Sequence, residues 1–318
     1  MQIRFWGTRG SLPAPLTAAD VRDKLVAALT AAQGQSLATP AAVETFISGL
    51  PFSIRGTFGG DSSCVELIEN DDHHVLCDMG SGARRYGAEM LQRHGPYEPQ
   101  TYHVFMSHLH WDHIMGFPMF PPAYVPGNRI IIHGCHPELA GAFRRQHGAP
   151  SFPVEFDRLQ ADVEFVVLQP DRKVEVAGYQ VTPMLQRHGG DSYGYRFEKN
   201  GKCAVYSTDS EHRTEESEEA ERFARFFSNA DLVIFDAMYS LAEAASVKED
   251  WGHSSNVIGV ELCQMANAKR LCLFHHEPAY SDNQIEGVLQ ETRRLEAITR
   301  TASPLEIITA YDGLTVTL

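Results

Sequence analysis

Three histidines and one aspartate are crowded into positions 108–113, directly after an apolar segment with the composition of a strand. The segment and its end read TYHVFMSHLHWDH. Metal sites that carry out hydrolysis need neutral imidazoles and carboxylates on a rigid backbone, with one coordination position left for water. On an extended backbone His108 and His110 can both face one cation. Asp112 and His113 begin the next turn, where they can face a second cation, so the chain must fold into a scaffold that holds such a site.

The order of apolar segments predicts an α/β protein. Strand-like segments such as VEFVVL and DLVIFDA alternate with helix-like segments such as ARRYGAEMLQRHG along the 318 residues. Mixed strands and helices of this kind form layers in which helices cover sheets. The length suits one large domain or two modest ones, and we expect a single domain over residues 1–318.

Residues 16–55 have a different pattern, which predicts a helical insertion between the first two strands. A second helix is expected there from Pro40 to Ser48, with Thr39 as its cap. The segment contains no cluster of ligand-type residues, so we expect it to lie outside the catalytic layers. It would then cover the pocket or make a dimer contact. The first helix of the insertion is indicated by apolar residues at helical spacing, namely Val21, Leu25 and Leu29.

Charge and composition limit which partners the protein can bind and where in the cell it is expected. The net charge of -14 leaves no broad basic surface for long nucleic acid, although a pair of bound cations would admit a small anion locally. The six cysteines are scattered without a CxxC pair, as is typical of reduced, buried thiols. No window approaches about 18 uninterrupted apolar residues, and the first residues lack the apolar stretch of a signal peptide. We therefore expect a soluble, cytoplasmic protein that does not enter a membrane.

The HxHxDH pattern formed by His108, His110, Asp112 and His113 resembles the hallmark motif of the metallo-β-lactamase superfamily. Proteins of that family fold as αββα sandwiches of two β-sheets and hold one or two metal ions at one edge. The resemblance covers most of the chain apart from residues 16–55. It implies an α/β fold of the same kind, a four-layer αββα metallo-β-lactamase sandwich with a helical insertion near the N-terminus.

The resemblance also implies further metal ligands at the ends of later strands, in a set order. His188 in MLQRHGG looks like the third histidine, and Asp209 in CAVYSTDSEH looks like the carboxylate that bridges two metal ions. His275 in RLCLFHHEP looks like the last ligand, with His276 as the alternative because adjacent histidines leave the register open by one. Two divalent ions are implied, with Zn²⁺ the expected metal and Mn²⁺ or iron also compatible with such ligands. The implied division is His108, His110, His188 and Asp209 on one ion, and Asp112, His113, Asp209 and His275 on the other.

Several stretches resemble the tRNase Z-like, phosphodiesterase branch of the superfamily. They are FWGTRGSLP with the later GGDSSCVELIE and VLCDMGSGARR, the LFHH at the last ligand, and WGHSS at residues 251–255. By this resemblance His253 contacts the scissile phosphate and protonates the leaving oxygen, so we predict Asp112 and His253 as the catalytic residues. Ser254 and the N–H groups of a helix start would bind phosphate oxygens, or Ser254 or Ser255 merely caps that helix.

Asp78, in VLCDMGSG, also has a counterpart in the family. By the resemblance it accepts a hydrogen bond from a ligand imidazole and fixes the tautomer of that ring. The alternative is that Asp78 caps the helix that follows it.

Two departures from the tRNase Z pattern bear on the substrate. The acidic residue expected just before the bridging aspartate is missing, since Tyr206 occupies that neighbourhood, and Glu211 or His212 would have to substitute. The glycine-rich, basic arm that grips transfer RNA is also missing, and residues 16–55 contain only three basic side chains. We therefore expect a small anionic phosphodiester, such as a cyclic nucleotide or a short nucleotide, rather than long structured RNA.

The loop after the cluster is rich in aromatic residues and proline. Trp111, Phe117, Phe120 and Tyr124 either wall a pocket and stack a nucleobase or pack the edge of the sandwich. The leading hypothesis for the whole chain is a dinuclear, metal-dependent phosphodiesterase. The alternatives are a metal-dependent acyl hydrolase, such as a lactonase or thioesterase, and a non-catalytic metal-binding sensor. A homodimer is compatible with each of them.

Overall fold

The computed structural model describes residues 1–68, 73–212, 217–238 and 252–318, which form two mixed β-sheets of seven strands each. In chain order the strands are β1 (Gln2–Gly7), β2 (Cys64–Ile68), β3 (His74–Cys77), β4 (Thr101–Phe105), β5 (Arg129–Gly134), β6 (Asp162–Val167), β7 (Val174–Val176), β8 (Tyr179–Gln186), β9 (Ser192–Lys199), β10 (Lys202–Ser207), β11 (Leu232–Asp236), β12 (Arg270–Phe274), β13 (Glu306–Thr309) and β14 (Thr315–Thr317). The helices are α1 (Ala18–Ala31), α2 (Pro40–Gly49), α3 (Phe52–Arg55), α4 (Gly82–His94), α5 (Trp111–Ile114), α6 (Leu139–Arg145), α7 (Ser217–Phe226), α8 (Asn256–Met265) and α9 (Asp282–Thr299). Short 3₁₀ turns span Phe117–Met119, Pro121–Tyr124 and Phe156–Arg158.

The two sheets pack face to face, and helices cover their outer surfaces. The strand order is β14-β1-β2-β3-β4-β5-β6 in the first sheet and β13-β12-β11-β10-β9-β8-β7 in the second. Apolar side chains from both sheets, among them Phe5, Phe105 and Phe274, form the buried layer between them. Tyr86 of α4 belongs to the core outside the first sheet, and Phe223 of α7 belongs to the core outside the second. The predicted four-layer αββα arrangement is therefore confirmed.

Parallel pairing within both sheets brings polar residues to one edge of the sandwich. Strands β3 to β6 are parallel neighbours in the first sheet, and strands β10 to β13 are parallel neighbours in the second. In sheets of this kind ligands bind beyond the carboxyl ends of the strands. The residues that follow those ends include Asp78 after β3, His108 after β4, Asp209 after β10 and His275 after β12.

The insertion folds as helices α1, α2 and α3, as the sequence predicts. Thr17 caps α1 in a capping box with Asp20, which leaves fewer N–H groups unpaired at the helix start. Thr39 caps α2 as expected, and that helix ends at Gly49, one residue beyond the predicted end.

The apolar stripe of α1 does not pack against the sandwich. Leu25 is 59% exposed and Leu29 is 71% exposed, so helical spacing correctly predicts the helix here without marking a buried face. The helix is held instead by Lys24, which forms an ion pair with Asp282 of α9. Whether the insertion covers a pocket or makes a dimer contact stays a prediction.

The sequence predicts reduced cysteines and no membrane-spanning helix. All six cysteines are buried, free thiols. Among the described helices, none is both long enough and apolar enough to cross a bilayer. The thiols therefore pack as small apolar side chains within the core.

Candidate metal centre

The loop after β4 holds the four clustered residues at the edge of the first sheet. His108 is buried just beyond the strand, and Asp112 and His113 are buried in the single turn α5. His110, which precedes α5, is exposed. The backbone N–H of Met79 donates to the carbonyl of His113 at 2.8 Å, so this turn is fixed to the segment that follows β3.

A first group of ligand-type atoms consists of histidines alone. His108, His110 and His188 each offer a ring nitrogen, and these nitrogens lie within 4.8 Å of one another. Nδ1 of His110 and Nε2 of His188 are 3.2 Å apart. Burial is the largest cause that lowers the pKa of all three imidazoles below the usual histidine value. The neutral form, which is the form that binds metal, is therefore favoured.

A second group combines histidines and carboxylates and is fully buried. Asp112, His113, Asp209 and His275 offer ligand atoms that also lie within 4.8 Å of one another. Nε2 of His113 is 3.1 Å from Asp112 and 3.2 Å from Asp209. Nε2 of His275 is 3.2 Å from Asp209 and 3.4 Å from Asp112. The group has the mixed nitrogen and oxygen donors that divalent transition metals accept.

Asp209 lies between the two groups. Its Oδ1 faces His113 and His275, both at 3.2 Å. Its Oδ2 faces His108 at 3.6 Å and His188 at 3.7 Å. One carboxylate therefore presents one oxygen to each group, which is the geometry of a bridging ligand.

Three residues at this edge have a strained backbone. Asp78, Asp209 and His275 have positive φ angles of 61°, 44° and 60°. Residues other than glycine rarely adopt this left-handed region, and such strain clusters at functional sites because the surrounding structure must hold it in place. Each strained residue follows a strand end, so the strain redirects its side chain at the edge of the sandwich.

The charges of the centre, and its buried ring nitrogens without hydrogen bonds, are compatible with bound cations. Burial would raise the pKa of Asp112, but the neighbouring His113 lowers it well below the usual aspartate value. Burial would lower the pKa of His113, yet Asp112 and Asp209 raise it. The carboxylates thus stabilise positive charge among them. Nε2 of His108 and Nε2 of His113 are buried, and neither forms a hydrogen bond with a described residue.

Asp78 is the hub of a hydrogen-bond network beneath the second group. Its Oδ2 accepts from Nδ1 of His113, from Oγ of Ser107 and from the hydroxyl of Tyr206, each at 2.7 Å. Its Oδ1 accepts from the backbone N–H of Ser107 at 2.7 Å. The helix α4 has Ser81 at its N-cap position, so Asp78 orients the His113 ring instead of capping that helix. Tyr206 has its hydroxyl in the same network.

His253 is held beside both groups by an acidic residue that sequence reasoning missed. Its Nδ1 is 2.9 Å from Oδ2 of Asp236 and 4.0 Å from Oδ2 of Asp209. Its ring centroid is 5.1 Å from that of His188 and 5.2 Å from that of His275. Burial would lower the pKa of His253, but the Asp236 carboxylate raises it to about 9.

Asp236 could have been found from the signal that found Asp209. It ends the strand-like DLVIFDA and is completely buried. Its carboxylate accepts from the backbone N–H groups of Ser210 at 3.1 Å and Met238 at 3.2 Å. This aspartate at the carboxyl end of an apolar strand, parallel to the strand of Asp209, is the acidic partner of His253.

Two predicted auxiliary residues, His212 and His276, make other contacts. The ring of His212 packs against Phe223 at 4.1 Å between ring centroids, and neither ring nitrogen bonds to a described residue. Nε2 of His276 is 2.9 Å from the carbonyl of Ala310. Both rings therefore contact the surrounding core, and neither belongs to the two ligand groups.

Ser254 is buried at the start of α8 and binds backbone. Its hydroxyl donates to the carbonyl of Ser210 and accepts from the N–H of His212 at 3.2 Å. Ser255 is the N-cap residue of α8, with no side-chain cap bond. Ser254 thus ties the loop of Asp209 to the loop of His253. Trp251, the first residue of the WGHSS motif, lies outside the described residues.

The aromatic residues after the cluster divide between core and surface. Phe117 and Phe120 are completely buried, and the hydroxyl of Tyr124 donates to the carbonyl of Pro118 at 2.6 Å. Phe117 and Phe120 therefore pack in the core, whereas Tyr124 is half-buried and lines a surface cavity of about 490 Å³. Trp111 is 80% exposed and directly follows His110.

Comparisons with known proteins agree on one family. A family model described as a beta-lactamase superfamily domain matches residues 73–276. The ribonuclease Z of Picrophilus torridus is 31% identical over 260 residues, which cover 68% of this chain and 80% of that protein. The ribonuclease Z of Haloferax volcanii is 24% identical over 288 residues, covering 72% of this chain and 86% of that protein. Among solved structures, the metallo-beta-lactamase fold protein YhfI from Bacillus subtilis has a TM-score of 0.64 at 16% identity, covering 99% of this chain and 98% of that one.

Proposed function

This chain belongs to the beta-lactamase superfamily, and from that membership we propose that it is a dinuclear, metal-dependent phosphodiesterase acting on small phosphodiesters. The observation that carries the proposal is the position of Asp209, with one oxygen toward each ligand group. Two groups that share a carboxylate suit a pair of cations. The relatives named ribonuclease Z make phosphodiesters the favoured substrate class.

The proposed ligands divide as the sequence predicts. His108, His110, His188 and Asp209 would hold one divalent ion, and Asp112, His113, Asp209 and His275 would hold the other. Zn²⁺ is the proposed metal, and Mn²⁺ or iron would accept the same donors. Two such cations supply Lewis acidity that activates water at neutral pH and neutralises charge on a phosphoryl group.

His253 is the proposed general acid. Asp236 engages Nδ1 of the ring and raises its pKa to about 9, which favours the protonated imidazole. The transferable proton then lies on Nε2, which can protonate the leaving oxygen of a phosphodiester. Such help is worth typically about 10²–10⁴-fold when the leaving group is a poor one.

Charge favours a small substrate over long RNA. The net charge is -14, and counterion release from a nucleic acid needs several lysines or arginines on one face. The insertion between β1 and β2 carries only three basic residues between positions 16 and 55. A small phosphodiester needs no such face, because the cations of the centre would provide the positive charge that it meets.

The proposal is tested with the metal-loaded protein and matched substrates. Bis(p-nitrophenyl) phosphate, linear and cyclic nucleotides and a precursor transfer RNA are compared with p-nitrophenyl acetate, a lactone and a thioester. We expect turnover of the small phosphodiesters that is abolished in Asp209→Ala and unchanged in Asp157→Ala, a surface control. Turnover of acyl substrates alone, or of no substrate, would refute the phosphodiesterase proposal. Preference for the transfer RNA would refute the small-substrate part.

A further inference from the structure

Trp111 differs from the other aromatic residues of its loop because it is exposed beside the metal centre. Its side chain is 80% exposed, whereas Trp6 is 3% exposed in the core. The indole makes no ring contact or hydrogen bond with any residue in the described ranges. A tryptophan can bury roughly 150–250 Å², so this exposed indole offers a flat apolar face next to ligand-type residues.

A groove opens beside His188 of the histidine group. It has a volume of about 730 Å³ and is lined by His188, by the end of β8 and by α7. Arg187 lines it, and no residue of the described ranges forms a hydrogen bond or ion pair with that guanidinium. The other two arginines of the groove are engaged. Arg222 donates to a backbone carbonyl of β8 at 3.1 Å, and Arg225 lies 3.4 Å from Glu221.

The groove carries charges of both signs. Besides its arginines it is lined by Asp191, Glu218, Glu219 and Glu221. Four carboxylates disfavour a second phosphate group by repulsion, but they accept hydrogen bonds from sugar hydroxyls and base amino groups. A guanidinium donates to base carbonyls and ring nitrogens. The lining thus fits a nucleoside, and the volume lies within the range of about 300–1,000 Å³ usual for small-molecule sites.

The two features flank one pair of contacting histidines. Nδ1 of His110 and Nε2 of His188 are 3.2 Å apart. Trp111 follows the first of these residues and Arg187 precedes the second. Trp111 is not among the residues that line the groove, so the two features are separate. The His253 ring lies 5.1 Å from that of His188, and His188 lines the groove.

We propose that the substrate is a linear phosphodiester between two nucleosides, with one nucleobase stacked on Trp111 and the leaving nucleoside in the groove at Arg187. This inference rests on the proposed function and names its substrate class. In the reaction, water supplies the hydroxyl that joins phosphorus, the P–O bond to the leaving nucleoside breaks, and His253 gives that oxygen its proton. The products are a nucleotide monoester and a nucleoside. A cyclic nucleotide carries a single nucleoside and fills only one of the two subsites.

The first test compares substrates and variants by kinetics. The metal-loaded protein is assayed with the dinucleoside monophosphate ApA, with cyclic AMP and with methyl p-nitrophenyl phosphate. We expect ApA to have the highest kcat/KM among the nucleotides. The ratio of its kcat/KM to that of the methyl ester should fall about tenfold or more in Trp111→Ala, because base stacking is worth about 1–3 kcal/mol. Trp111→Phe should recover most of the loss.

The second test measures binding without turnover. Adenosine monophosphate should quench tryptophan emission of the wild type, and the quenching should be lost in Trp111→Phe. Arg187→Ala should raise KM for ApA several-fold. The exposed controls Tyr97→Ala and Arg22→Ala should match the wild type in every assay.

The outcomes separate the inference from the proposed function. Trp111→Ala could hydrolyse methyl p-nitrophenyl phosphate and keep the wild-type ratio of kcat/KM for ApA to kcat/KM for this methyl ester. That result would overturn the two-subsite substrate and leave the phosphodiesterase proposal intact. A higher kcat/KM for cyclic AMP than for ApA would do the same. Inactivity on every phosphodiester would remove the proposed function itself.

Discussion

Oδ2 of Asp236 lies 2.9 Å from Nδ1 of His253, a residue 17 positions further along the chain. The carboxylate is completely buried and also accepts two backbone N–H bonds, so its position is fixed independently of the histidine. An imidazole engaged in this way has a defined orientation and a raised pKa. The pair therefore supplies a held proton next to the bridging Asp209.

Replacing His253 by alanine should separate substrates by their leaving groups. Loss of the general acid should slow hydrolysis of a nucleoside phosphodiester about 10²–10⁴-fold, while a p-nitrophenolate leaving group needs little protonation and should lose far less. Steady-state kinetics on ApA and on bis(p-nitrophenyl) phosphate measure the difference. Equal losses on both esters would make His253 a binding residue. Because it also lies near His188 and Asp209, metal content is measured in parallel, and lost metal would make it a ligand.

Asp236→Asn, like His253→Ala, should slow hydrolysis of a nucleoside phosphodiester more than hydrolysis of bis(p-nitrophenyl) phosphate, although by a smaller factor. The amide keeps the shape of the carboxylate but removes the charge that raises the His253 pKa to about 9. At neutral pH a smaller share of His253 then carries its proton, so the rate with ApA should fall at least tenfold more than the rate with the activated ester. The exposed Asp157→Asn provides the control. A variant with wild-type kinetics on both esters would remove the positioning role of Asp236.

Asp209→Ala should lose the metal pair. Its two oxygens face different ligand groups, so removing the side chain takes one ligand from each. We expect elemental analysis to find close to two metal ions per wild-type chain and at most one in the variant. Asp157 has a side chain that is 85% exposed, so Asp157→Ala should bind as many metal ions as the wild type does. A single ion in the wild type would argue against bridging.

Features that depend on residues close together in the sequence could be predicted. Contacts between residues far apart in the sequence could not. The cluster at 108–113 is local, and a strand followed by closely spaced ligands is readable from a short segment. Thr39 is equally readable, because a cap and its helix are neighbours in the chain. Asp236 lies beside the residues that follow β10 and β12 only because those strands pair in parallel with β11, and no local pattern shows that order.

Burial of the aromatic loop was also beyond local reasoning. Trp111 begins the single turn α5 and Phe117 begins a 3₁₀ turn six positions later, yet one is 80% exposed and the other is completely buried. Turns this short have no period that assigns side chains to faces. The ring centroids of Phe120 and Tyr86 of α4 are 6.3 Å apart. This contact depends on how the helix covers the sheet. Tertiary packing therefore decides which aromatic residue remains available to a ligand.

The final prediction concerns Asp312, which lies in the loop between β13 and β14. Its side chain is 6% exposed, and burial raises its pKa to about 6 from the ordinary 3.8. Its Oδ2 accepts from the N–H groups of Gly60 and Asp61, and its Oδ1 is 3.1 Å from the hydroxyl of Thr8. That hydroxyl donates to the carbonyl of Phe58, so it can accept from an amide at position 312.

Because the folded state holds the Asp312 proton more tightly than the unfolded state does, this group stabilises the fold fully below about pH 4. The contribution is lost as the pH rises through about 6, at a cost of roughly 2–3 kcal/mol by neutral pH. Asp312→Asn keeps the hydrogen bonds and cannot ionise. Its free energy of unfolding relative to the wild type should therefore rise by about that amount between pH 4 and pH 7. Urea unfolding of both proteins, loaded with the same metal, measures this difference, and Asp157→Asn should show none. Parallel pH profiles for Asp312→Asn and the wild type would contradict the raised pKa.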